Sequence, residues 1–299
     1  MRRLDVALDF GDQHSRKLGV LVADGRDTYF AFDDAFETKP LPVSPIARPA
    51  KGELWHHPDA AFAHLPGLLF DAMPDGWGRL LQDRAFGRLD VPREKITPLD
   101  RLAAVGNAGL GALVFTPPIA LVPKDEPLIW TKDLAAIAGH ADALYVGSAE
   151  KVLPALLAGG GSPGGARPKV LAAVKFDSRR HAEIIAGPSP LGVGMPEYSD
   201  DYFPWIIKFP TKEDGRDAGV VEAAYAEVAR ASGLLLPETH LFEANNGLRY
   251  FGAARFDRLG NGGRARLHVH TMAGLLQADY RMPSCDYRDL LQLTLRLTG

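Results

Sequence analysis

Gly159-Gly160-Gly161-Ser162-Pro163-Gly164-Gly165-Ala166-Arg167-Pro168-Lys169 runs directly into the apolar stretch Val170-Leu171-Ala172-Ala173-Val174. Glycine this dense lets backbone amides approach a ligand that any Cβ would block, and it permits turns with positive φ. Phosphate is the natural candidate. Three readings compete: a Walker loop, a kinase-type glycine loop and a flexible linker. A Walker loop needs Gly-Lys-Ser/Thr opening a helix, whose N-terminus then holds the phosphates. Here Gly164 is followed by Gly165, and the residues after Lys169 are β-leaning with no helix cap. A glycine loop that precedes a strand fits the kinase arrangement, in which the loop covers the ATP phosphates. The linker stays open on these residues alone, because Gly/Ser/Pro clusters also join domains.

The rest of the chain narrows the choice. Its 299 residues suit one large or two moderate domains, and 34 basic against 37 acidic residues leave a net charge of −3. That balance gives no reason to expect nucleic acid or an anionic membrane as partner. The single cysteine, Cys285, excludes an internal disulfide framework and any multi-cysteine zinc site, and fits a reducing compartment. Asp5, Asp9 and Asp12 interrupt what would be a signal-peptide core, and no apolar run is long enough to span a bilayer. The protein is therefore expected to be cytoplasmic.

Upstream of the loop, Leu4–Phe10, Leu18–Val22 and Tyr29–Phe32 are short apolar bursts between Asp/Gly turns, a meander of strands. Pro40 to Pro49 should be an extended surface segment. Pro74-Asp75-Gly76 is a turn that starts a helix through Trp77, Leu80, Leu81 and Arg84, with Arg79, Asp83 and Arg84 as solvated charges. Helices are expected over 99–105, over 131–138 with Thr131 as N-cap, and over 149–157, with a strand over 111–115.

Downstream, strands are expected over 170–176 and 182–185, then a long surface excursion over 187–204. Trp205-Ile206-Ile207-Lys208-Phe209-Pro210 follows, in which Trp205, Ile207 and Phe209 face one side while Ile206 and Lys208 face the other. A lysine in so apolar a strand either serves an anion or guards a sheet edge. A helix over 218–232, capped by Asp217, places Val221, Ala224, Tyr225 and Val228 on one apolar stripe with Glu222 at its border. Asn245-Asn246-Gly247 between apolar runs is a hairpin signal.

Taken together, this order of elements resembles a kinase N-lobe, and its motifs resemble the HipA family, the serine/threonine kinase toxins of bacterial toxin–antitoxin modules. The residues that carry the resemblance are Met73-Pro74-Asp75-Gly76-Trp77-Gly78-Arg79, Gly164-Gly165-Ala166-Arg167-Pro168-Lys169, Ile206-Ile207-Lys208-Phe209-Pro210, Arg255-Phe256-Asp257-Arg258 and Arg266-Leu267-His268. The resemblance implies an α+β protein. A β-rich N-terminal domain (1–120) would precede a kinase-like N-lobe of antiparallel sheet plus helix (121–258) and the start of a helical C-lobe (259–299).

It implies that Gly164, Gly165, Ala166, Arg167, Pro168 and Lys169 wrap the ATP phosphates and that Lys208 pairs the α- and β-phosphates, oriented by Glu222. Ala254, Arg255 and Phe256 would form the adenine hinge, with Ala254 where the family usually has glutamate, and Ser162 would be the autophosphorylated loop serine. ATP and Mg²⁺ are the implied cofactors. The implied partners are a helix-turn-helix antitoxin and, as substrate, an aminoacyl-tRNA synthetase.

Phosphoryl transfer also needs a catalytic Asp, an Asn and a metal-binding Asp. Nothing after Phe256 has the family's Asp-Asp-His-x-Lys-Asn context. A piece of a longer kinase, inactive by itself and binding nucleotide weakly, is therefore expected. Leu290, Leu291 and Leu295 of the last amphipathic stretch would lack packing partners and favour self-association. The alternative is a non-catalytic module that binds an antitoxin or a partner kinase lobe.

Overall fold

The computed structural model describes residues 3–11, 14–121, 133–149, 152–157, 165–186, 198–279 and 281–299. The chain opens with strands β1 (Arg3–Asp9), β2 (Ser15–Asp24) and β3 (Asp27–Phe32), followed by helices α1 (Asp34–Thr38), α2 (Gly67–Phe70), α3 (Gly76–Arg88) and α4 (Pro98–Val105) and strand β4 (Leu113–Thr116). Helices α5 (Leu134–Tyr145) and α6 (Pro154–Leu157) lead to β5 (Lys169–Phe176), β6 (Ala182–Ile185) and β7 (Phe203–Lys208). Helix α7 (Ala218–Ala231), β8 (Thr239–Glu243), β9 (Arg249–Ala254), β10 (Arg258–Leu259), β11 (Ala265–Arg266), α8 (Met272–Leu276) and α9 (Tyr287–Thr298) complete it. This is an α+β architecture.

The expected meander forms a four-stranded antiparallel sheet in the order β3-β2-β1-β4. Alternation along β1 sends Leu4, Val6 and Leu8 into a core shared with Leu68 and Leu69 of α2 and Leu99 and Leu102 of α4. The second sheet is five-stranded and antiparallel, in the order β6-β5-β7-β9-β8. Val170, Ala172, Trp205 and Ile207 bury one of its faces against α5, α6 and the first turns of α3, through Trp77 and Leu81. Helix α3 thus joins the halves: Trp77 and Leu81 pack under the second sheet, while Ala85 and Phe86 pack with Ala104 of α4 in the first.

Several expectations need correction. The 40–49 segment is not wholly a surface segment: Val43 and Ser44 are buried, because His268 hydrogen-bonds the Val43 carbonyl at 2.9 Å and His270 meets Ser44 Oγ at 3.2 Å. Asp83 is no solvated charge, since Arg101 and Arg93 close on it at 2.5 and 3.1 Å. Thr131 lies outside the described residues. Asp133 caps α5, which continues to Tyr145. Of the expected 149–157 helix only Pro154–Leu157 is helical among the described residues.

The largest correction concerns α7. Val221, Tyr225 and Val228 are 52%, 73% and 63% exposed, whereas Gly219 and Ala226 are the buried positions. A Cβ on Gly219 would stand 2.4 Å from the Arg249 carbonyl oxygen, so small residues let this helix lie close on β9 and turn the apolar stripe outward. On α9, Leu293 is buried while Leu291 and Leu295 face solvent.

Residues 257–276 double back onto the first half. Arg266 N donates to the Phe10 carbonyl at 3.0 Å. The Asp71 carboxylate accepts from Thr271 N and Thr271 Oγ1 and contacts His270 Nδ1, all at 2.6–2.7 Å. Helices α2 and α8 touch backbone to backbone where Gly67 meets Gly274.

Candidate functional site

Strand β7 lies between β5 and β9, so Lys208 guards no sheet edge. Lys169 on β5 is its register partner, and residues directly opposite across an antiparallel pair project to the same face. Two cations are thereby brought side by side, and each is matched by a carboxylate. Lys169 Nζ is buried against Asp75, the residue that caps α3 by accepting from Gly78 N at 2.6 Å. Lys208 Nζ is paired with Glu222 of α7, half-exposed, and lies 5.5 Å from the Phe251 ring centre. Arg167, just before the strand, reaches Asp214 at 2.6 Å. Burial pushes Asp214 upward in pKa, but the Thr211 backbone N–H, the Thr211 hydroxyl and the Arg167 guanidinium outweigh it and hold the carboxyl below its usual value.

These groups surround a cavity of about 360 Å³, lined by Gly165, Arg167, Lys169 and Lys208 with the apolar Phe209, Pro210 and Phe251. Gly165 has φ +104°, a backbone state that suits glycine alone and carries the loop into β5. Trp77 Nε1 donates to the Lys169 carbonyl at 3.0 Å, so α3 fixes the start of the strand as well as its lysine.

Of the expected phosphate-wrapping residues, Gly165, Arg167 and Lys169 line this cavity together with Lys208 and Glu222. Ala166 and Pro168 flank them in the chain. Ser162 and Gly164 lie outside the described residues. Ala254–Phe256 lies elsewhere: Ala254 pairs with Trp205, three residues along β7 from Lys208.

The Arg255 side chain points into the protein. Its Nε and Nη2 hold both Asp257 oxygens at 2.9 and 2.7 Å, and Nη2 also reaches the Gly109 carbonyl at 2.9 Å. Arg258 adds a third contact to Asp257 at 2.6 Å, and Gly111 N donates to the same carboxylate at 2.8 Å. Burial pulls Arg258 down to about 9, helped by the charges of Arg255 and Arg266, which still leaves it cationic at neutral pH. Burial would raise Asp257, but hydrogen bonds and charge from Arg255, with Arg258 and Gly111 N, bring it below the usual carboxylate range. This buried cluster joins the end of β9 to the 107–111 turn.

Sequence reasoning quoted Asp75 within a motif yet gave it only a turn role, and it did not single out Asp214 or Phe251. Asp75 and Lys169 are 94 positions apart, so no local pattern reports their pairing. Both, however, stand in motifs quoted for the same resemblance.

Comparison with protein families matches residues 161–299 to the HipA-like C-terminal domain and residues 12–116 to the HipA N-terminal domain. Together these spans take in most of the chain, in the order read from its motifs. The chain belongs to the HipA family. That membership supports a HipA-like toxin and, with it, a toxin–antitoxin context. A search of curated proteins gave no match.

Proposed function

We propose that this chain carries the nucleotide-binding half of an ATP-dependent serine/threonine protein kinase. The observation that carries the reading is the Lys208–Glu222 pair, a lysine on the third strand of the sheet and a glutamate on the helix that follows, an arrangement like the lysine–glutamate pair that protein kinases must assemble. Arg167, Lys169 and Lys208 on one wall suit a polyphosphate, and Phe209 and Phe251 supply apolar surface beside it. All three cations already hold a carboxylate. A lysine has three N–H donors and an arginine five, so an entering phosphate would join these contacts, and Lys208 would keep Glu222 while it binds. Bound ATP would supply the transferable γ-phosphoryl group and bring Mg²⁺. Lys208 would bind the α- and β-phosphates, Gly165 to Lys169 would close over them, and backbone groups of Ala254 to Phe256 would meet adenine.

Ser162 is the proposed autophosphorylation site, an aminoacyl-tRNA synthetase the proposed substrate and a helix-turn-helix protein the proposed antitoxin. No residue of the chain is assigned as catalytic base or as ligand of the Mg²⁺ that accompanies ATP, because the sequence contains no Asp-Asp-His-x-Lys-Asn segment. Calorimetric titration with Mg-ATP is the test. Weak binding to the wild type that disappears in Lys208→Met is the expected outcome, and equal affinity for both would remove Lys208 from the site. The exposed Val221, Tyr225 and Val228 favour a second reading, in which α7 docks a partner protein without chemistry. Absence of Mg-ATP binding in the wild type would turn the argument to that reading.

A further inference from the structure

Away from this cavity, the N-terminal sheet gathers a second group of chemistry-bearing side chains. Asp27 opens β3, His56 follows the Trp55 bridge to Phe30, and His64 comes from the turn before α2. Each offers one potential ligand atom, and the three atoms lie within 4.8 Å of one another. Thr28, fully buried, organises the group from between Asp27 and Tyr29. Its carbonyl takes the His56 Nδ1–H at 2.9 Å, which leaves Nε2 with the lone pair, and its hydroxyl donates to the His64 carbonyl. A backbone carbonyl on the far ring nitrogen is the usual way a metal-binding histidine is oriented.

Tyr29 stacks on His56 at 4.8 Å, and the His56 and His64 rings lie parallel, 4° apart in plane. His64 is held at φ 56°, next to Ala63 at φ 52°, so the backbone turns through two left-handed residues to present the ring. His57 is excluded: it is buried against Phe62 with Nδ1 taken by Asp59 N.

We propose that Asp27, His56 and His64 form a binding site for a borderline divalent transition-metal ion such as Zn²⁺. Two nitrogens and one carboxylate oxygen match the preference of such ions, whereas Mg²⁺ and Ca²⁺ take oxygen sets. His64 Nδ1 and Asp27 Oδ1 are 3.5 Å apart, long for a hydrogen bond but close to the roughly 3.3 Å between two ligands of one tetrahedral Zn²⁺. His64 Nδ1 also lies 3.3 Å from the His57 carbonyl, a long contact that the ion replaces. The Asp27 side chain is 47% exposed, so the ion can enter and keep water in its open position. Bound metal would clamp the β2–β3 turn to the 55–64 segment.

The untagged 299-residue chain titrated with ZnCl₂ in a non-chelating buffer is expected to bind one ion per chain, with no comparable signal from MgCl₂ or CaCl₂. His56→Gln and His64→Gln are each expected to weaken binding at least tenfold. Asp27→Asn should do the same, and because that side chain is half in solvent it decides the matter even if a histidine variant folds poorly. Co²⁺ should give visible absorption bands that Zn²⁺ abolishes. Lack of a saturable Zn²⁺ isotherm, or unchanged affinity in Asp27→Asn and the His56→Gln/His64→Gln pair, overturns the site.

Discussion

Asp257 balances two arginines at 3% and 9% side-chain exposure while itself completely buried. Removing one member of a buried ion pair leaves the other charge unsolvated, at a cost of about 3–5 kcal/mol. Asp257→Asn is therefore expected to lower the urea midpoint sharply, since the amide keeps the shape but leaves Arg255 and Arg258 without their anion. Asp200→Asn, which loses only an exposed contact to Arg264, should stay within about 0.5 kcal/mol of wild type. Equal effects of the two would show that the cluster is not what holds β9 to the 107–111 turn. The Asp75–Lys169 pair obeys the same rule with one difference: Lys169 lines the cavity, so Asp75 fixes where that ammonium stands along its wall.

Elements in this protein approach one another through glycine. A Cβ on Gly67 would lie 2.0 Å from the Gly274 carbonyl oxygen, so Gly67→Ala must push α2 and α8 apart, at about 1–3 kcal/mol. Gly139, inside α5 with nothing within 4 Å of a built Cβ, should respond in the opposite sense, Gly139→Ala gaining roughly 0.5–1 kcal/mol from helix propensity. Chemical denaturation of both variants checks the pair of signs. The same close approaches explain what could be read from the chain. Strands were legible where alternation and turn residues coincide, as in β1 to β3 and the Asn246-Gly247 hairpin, and in the unbroken β-leaning apolar run of β5, because those signals are local. The alternation over Trp205–Phe209 also placed Lys208 correctly on its face. Helix α7 was located correctly but faced wrongly, because its buried side is set by Gly219 and Ala226, whose smallness carries no hydrophobic signal. Within the site, Lys208 and Glu222 were legible from strand pattern and family motif. The Asp75, Asp214 and Phe251 contributions depend on how distant segments meet.

Across the whole molecule, three histidines respond to acid in one direction. His57, His240 and His268 all titrate below the usual 6.5, chiefly because burial disfavours their charged form. For a group whose folded pKa is depressed, the stabilisation is intact above the unfolded value and is lost as pH falls through the folded one. Stability is therefore expected to decline as pH drops below about 6.5, separately from a later loss in more acid solution, where the unfolded chain takes up the proton that folded Asp257 resists. Urea midpoints at pH 7.5, 6.5 and 5.5 measure the first phase, and a flat profile would contradict it. His268 should contribute to it because burial of its ring outweighs the clasp of the Val43 carbonyl, which favours the protonated form.

That clasp belongs to the returning segment 257–276, which lies within the C-terminal family match (161–299) but rests on residues of the N-terminal one (12–116). A boundary between modules in sequence is here no boundary in energy. A chimera that exchanged residues 12–116 for those of a relative would inherit a mismatched seat for Asp257, Arg266, His270 and Gly274. Over evolutionary time, Asp71 with Thr271 and Gly67 with Gly274 should change together or not at all, tying the history of the two modules to one another as tightly as their backbones.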